Sequence, residues 1–135
     1  MIEELHRSYR LPPDVHAEDV GTSIREVLFD VALSEKRPAR LILVDTINKV
    51  GKKHGEVLEL GIGDLTENKI TDYSMHQFPT SNMLREIANF CGVQVRIIAA
   101  QMCEPTEKVT MELSEMMTEA IPKAAKKAYE LCLIP

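Results

Sequence analysis

Asp45 closes the most hydrophobic run of the chain, Arg40-Leu41-Ile42-Leu43-Val44-Asp45-Thr46, and His76 stands further on in Tyr73-Ser74-Met75-His76-Gln77-Phe78-Pro79. A carboxylate leaving a buried strand enters the crevice at the strand's carboxyl end, where open α/β sheets bind their ligands. A neutral imidazole and a carboxylate are also ordinary partners for a first-row divalent metal. A helix starting at Thr80 or Ser81, just after His76, would favour the neutral imidazole. Cys103, near the exit of a second apolar run, raises a different possibility, a Cys-His-Asp nucleophile. Free cysteine is more commonly a small buried hydrophobe.

Two apolar runs must position these groups. Residues 40–46 and 93–100 are continuous and rich in Ile, Leu and Val, as in parallel strands covered on both faces. Glu56-Val57-Leu58-Glu59-Leu60 alternates like a half-exposed strand, expected to return as an antiparallel hairpin at an edge. Val15–Asp19 reads as a short strand opening into the turn Gly21-Thr22-Ser23. Ile24, Val27, Leu28 and Val31 then form one helical stripe, with Thr22 or Ser23 as N-cap and Pro38 as the stop. Met83, Leu84, Ile87, Ala88 and Cys91 share a face of the next helix, which Gly92 ends in a left-handed conformation.

A last helix, capped by Ser114, uses Met117, Ala120, Ile121, Ala124, Ala128 and Leu131, and Pro122 is expected to kink or restart it. At the other end Ile2, Leu5 and Tyr9 form a short helical face stopped by Pro12-Pro13. This order predicts an α/β three-layer sandwich, a mostly parallel doubly wound sheet with one antiparallel edge strand. The strand that normally opens such a domain is absent ahead of the first helix.

Composition narrows the partners. The 135 residues suit one domain, and 44% hydrophobic with 27% charged residues is ordinary for a globular protein. A formal charge of −5 argues against nucleic acid, because phosphate binding draws on net or clustered Lys and Arg. The clusters Lys49, Lys52, Lys53, His54 and Lys123, Lys126, Lys127 read as solvated surface. Cys91, Cys103 and Cys132 form no CxxC pair, which points to reduced thiols rather than a disulfide framework or a zinc knuckle. With no apolar run approaching the roughly 20 residues of a membrane span, the expectation is a cytoplasmic protein without a membrane partner.

Taken in order, the motifs resemble the hydrogenase maturation endopeptidases, which trim the C-terminal extension of nickel-iron hydrogenase large subunits. They look most like the branch serving the deazaflavin-coenzyme-reducing hydrogenase of methane-forming archaea. The landmarks are Asp19-Val20-Gly21-Thr22, Leu43-Val44-Asp45, Ser74-Met75-His76, Gln101-Met102-Cys103-Glu104-Pro105, Leu113-Ser114 and Glu119-Ala120-Ile121-Pro122, which span the whole chain.

The resemblance implies a hydrolase acting on the hydrogenase large-subunit precursor. Asp45 and His76 would be its metal-facing and catalytic pair, recognising nickel already inserted in the substrate; zinc or cadmium could occupy the same site. Asp19, Gly21 and Thr22 match a segment near the cleavage-site peptide, although Asp19 could equally start an Asx turn. The family's opening glycine-rich strand, with a further acidic ligand, has no counterpart here, so residues 1–135 are expected to form a single N-terminally truncated domain. The alternative is a subunit that docks on the hydrogenase without cutting it. The family does not work through a cysteine, which counts against a nucleophilic Cys103.

Overall fold

The computed structural model describes residues 1–47, 55–62, 78–101 and 115–134. Among them four α-helices and three strands follow one another, with a 3-10 turn at Gly21–Ser23: α1 (Ile2–Ser8), α2 (Ile24–Leu33), β1 (Arg40–Ile47), β2 (Val57–Gly61), α3 (Phe78–Phe90), β3 (Gln94–Gln101) and α4 (Glu115–Leu133). These three strands form one sheet in the order β1-β3-β2. β1 runs parallel to β3, with Arg40 opposite Gln94 and Ile47 opposite Gln101. β2 runs antiparallel along the other side of β3, Val57 opposite Ala100 and Gly61 opposite Arg96.

Alternation along β1 and β3 divides the core in two. Val95, Ile97 and Ala99 point to one face, where they join Leu28 of α2, Leu84 and Ile87 of α3, and the half-buried Leu41 and Leu43. Ile98 points to the other, with Leu5 of α1 and Ala124, Ala125, Ala128 and Leu131 of α4; Ile42 and Val44 pack there from β1. The result is the expected three-layer α/β sandwich, with α2 and α3 on one face and α1 and α4 on the other. Tyr9 stacks on Tyr129 at a ring-centroid distance of 4.5 Å and ties the end of α1 to α4.

Local chemistry sets the element ends. Gly92 takes φ +70° after α3, the left-handed stop that a side chain adopts only with strain. Arg40 anchors the far end of α4. Its Nη1 donates to the carbonyl oxygens of Leu131 and, at 2.9 Å, Ile134, while its Nε donates to Gln94 Oε1 at 2.6 Å. A guanidinium there satisfies carbonyls that a helix leaves unpaired at its C-terminus.

Four expectations are corrected. Residues 15–19 form no strand, because β1's described neighbour is β3 and nothing among the described residues pairs the 15–19 segment with the sheet. β2 makes no hairpin with β1; it lies on the far side of β3, where the ladder it needs is offered. Ser23 holds the N-cap position of α2 without a side-chain cap hydrogen bond, and a 3-10 turn, Gly21–Ser23, leads into the helix instead. Of the kink or restart expected at Pro122, the restart does not occur, since a single helix spans Glu115–Leu133 around it. Ser114 lies outside the described residues.

Candidate active site at the carboxyl end of the sheet

Asp45 is paired in register with Ala99 of β3 and is exposed. By alternation with Leu41 and Leu43 it belongs to the α2/α3 face, two residues beyond the packed core. Its Oδ1 accepts the Thr46 N–H at 2.7 Å. That bond fixes the carboxylate beside the strand end, and a carboxylate oxygen has lone pairs beyond the one used. A half-buried apolar strand thus delivers an acid to solvent at the edge where its neighbour β3 also ends.

The α2 entry turn approaches the same edge. Only Ser34–Ala39 separates the end of α2 from the start of β1, so a helix packed on the sheet must run back along it. Ten residues carry it about 15 Å, which brings its first turn toward the end from which Asp45 emerges. In that turn Asp19 Oδ1 accepts the Gly21 N–H at 3.1 Å, and Gly21 has φ +52°. Asp19 is therefore an Asx-turn residue whatever else it contacts. The Ser23 N–H reaches Val20 O at 2.9 Å and closes the 3-10 turn containing Thr22.

A feature that sequence reasoning missed lies at the end of β3. The Gly55 N–H donates to Gln101 O at 3.0 Å, and the Gln101 N–H donates to Glu56 O at 2.9 Å. Two residues therefore oppose one, with Gly55 at φ +77°, which is a glycine-led β-bulge. Gln101 is 3% exposed, the one buried polar side chain among the described residues. The signal in the sequence is an isolated glycine just before an alternating run, together with a glutamine at the end of an apolar one. Pairing the two required the fold.

On this topology Asp45 and the Asp19–Thr22 turn would fall at one end of the sheet. α3 begins there as well, because Cys91–Val93 is all that separates its C-terminus from the start of β3. His76, two positions before Phe78, lies outside the described residues, as does Cys103. Among the described residues no group of three or more His, Cys, Asp or Glu could hold a metal ion. No helix among them is long and apolar enough to cross a membrane.

Comparisons with known proteins agree with this architecture. Three solved structures share the fold. Hydrogenase maturating endopeptidase HybD from E. coli superposes with a TM-score of 0.70 at 20% identity, over 96% of this chain and 78% of that one. The [NiFe] hydrogenase maturation protease HybD from Thermococcus kodakarensis gives 0.60 at 22% identity, over 85% and 77%. Hydrogenase 2 maturation peptidase from the Thaumarchaeota archaeon SCGC_AB-539-E09 gives 0.55 at 19% identity, over 99% and 86%. No curated protein sequence matches the chain. The hydrogenase maturation protease family model matches residues 1–131, and the chain belongs to that family.

Proposed function

We propose that this chain is an endopeptidase that removes the C-terminal extension of a nickel-iron hydrogenase large subunit after nickel insertion. The observation that carries the reading is the exposed Asp45 carboxylate at the carboxyl end of β1, in a chain whose family match runs through it. In this reading Asp45, near the end of β1, and His76, two positions ahead of α3 along the chain, receive the nickel of the substrate. The fixed carboxylate supplies an anionic oxygen and the imidazole a neutral nitrogen, a donor pair suited to nickel, zinc or cadmium. Engagement of the metal holds the substrate's terminal segment against the protease, so that positioning makes a large contribution to the rate. Asp19, Gly21 and Thr22 line the entry of that segment on the α2 side. The substrate belongs to the deazaflavin-coenzyme-reducing class of hydrogenase.

Incubation with nickel-loaded large-subunit precursor tests this by mass spectrometry. The expected product is shorter at its C-terminus, and Asp45→Asn or His76→Ala slows its formation by about 100-fold or more, as removal of a group acting on the reacting centre does. Titration calorimetry with nickel should show weak binding that both substitutions reduce and that falls at acidic pH as the imidazole protonates. A stable complex with uncut precursor would replace the protease reading by that of a docking subunit. Unchanged nickel binding in both variants would remove Asp45 and His76 from the site.

A further inference from the structure

On the face opposite Asp45, a groove of about 440 Å³ lies between β2 and α4, lined by Glu56, Val57, Lys123, Lys126, Lys127 and Glu130. Its place in the fold follows from register. Val57 is opposite Ala100 and Glu56 opposite Gln101, so the groove opens at the end of β3 that adjoins Asp45's partner Ala99. Lys123, Lys126 and Lys127 stand at i, i+3 and i+4 on α4, a spacing that places them on one side of the helix. The Arg7–Glu4 and Arg96–Glu59 ion pairs and the His16–Glu18 contact among the described residues include none of the three. A chain of net charge −5 thus gathers three ammonium groups in one concavity, where they outnumber the Glu56 and Glu130 carboxylates of the same lining.

We infer that this groove docks an acid-rich, extended segment of the substrate protein, with Lys123, Lys126 and Lys127 receiving its carboxylates. The inference rests on the protease reading for the identity of the partner and on the groove's charge for the chemistry. Three cations in a concave, partly apolar site raise the local potential and favour anionic partners. Two features select a peptide over nucleic acid. Glu56 and Glu130 interrupt the lysines, so the occupant must set uncharged residues opposite them and carboxylates opposite the lysines, which a peptide can do and a phosphate at every nucleotide cannot; and a chain of net charge −5 gives little of the counterion release on which polyphosphate binding depends. A peptide crossing the carboxyl end of the sheet would present one stretch to Asp45 and a neighbouring stretch to the lysines. The groove therefore sets affinity for the precursor, while the chemistry stays on the α2/α3 face.

Fluorescence anisotropy with a labelled Glu-rich decapeptide and its Gln counterpart tests the groove without requiring cleavage. The wild type should prefer the Glu peptide, and Lys123→Gln/Lys126→Gln/Lys127→Gln should weaken that binding about tenfold and flatten its salt dependence. Lys52→Gln/Lys53→Gln, in the other basic cluster, should leave it unchanged. In precursor cleavage the triple variant should raise KM with kcat retained. Equal affinity for the two peptides, equal binding by wild type and triple variant, or tighter binding of a single-stranded oligonucleotide would overturn the proposal. Peptide selectivity that persists with a protein that never cuts would retain the groove and reject the protease reading. Cleavage with unchanged KM in the triple variant would do the reverse.

Discussion

The two faces of the sheet are built from different materials. On the α2/α3 face, long branched side chains fill the layer: Leu28, Leu84 and Ile87 meet Val95 and Ile97. On the α4 face, Ala124, Ala125 and Ala128 meet Ile98, whose side chain is fully buried. Alanine adds little bulk, so α4 can lie close against the strands. One face is held by side-chain volume and the other by proximity. Removing atoms should therefore damage the first, and adding them should damage the second.

The largest stability effect is expected on the side-chain-rich face. Leu28→Ala removes a fully buried side chain between α2 and β3 and should cost about 2–5 kcal/mol, measured by urea denaturation. A loss below about 1 kcal/mol would mean that α2 collapses into the space, and the face would not be volume-held. Ala125→Leu is the converse. Ala125 is fully buried, and the added atoms should push α4 from the sheet at a cost of about 1–3 kcal/mol. A stable, unshifted Ala125→Leu protein would show slack on the α4 face and erase the contrast.

A smaller effect is expected where the closely packed face runs out, at the C-terminal end of α4. Burial raises the pKa of the Cys132 thiol, and the Arg40 guanidinium partly offsets it. A raised thiol pKa disfavours thiolate in the folded protein. Its contribution to stability is present below the unfolded-state pKa and is lost as pH rises through the folded one. At mildly alkaline pH, Cys132 should be alkylated more slowly in the native protein than in urea, as read by mass spectrometry of iodoacetamide adducts. Arg40→Ala should slow the native reaction further if Arg40 acts through its charge. Acceleration would show instead that its bonds to Leu131 and Ile134 hold the helix end closed.

Asp45 is legible in the sequence because a charged residue ending a long apolar run marks both the strand and its exit. Gly92 is legible because a helical stripe stops just before it. Asp19 is only half legible: Asp-Val-Gly-Thr signals a turn, but an Asx turn and a peptide contact ask for the same residues. The groove reads in sequence as two unrelated surface features. Lys123, Lys126 and Lys127 look like a solvated helix side, and nothing near them along the chain reveals that Glu56 and Val57 form the opposite wall.

Residue order alone governs the local part: which runs are apolar, with what period, and where glycine or proline interrupts them. Those features set β1, β3 and the buried stripe of α3, because burying one face is a property of each segment's own residues. Which strands meet is a matter of tertiary structure. β2 lies on the far side of β3 instead of forming a hairpin with β1, and residues 15–19 stay outside the sheet despite their strand-like pattern. A strand becomes one when another strand satisfies its backbone N–H and C=O groups, and that partner lies far along the chain. The bulge joining Gly55 and Glu56 to Gln101, and the groove beside it, follow from the same nonlocal pairing.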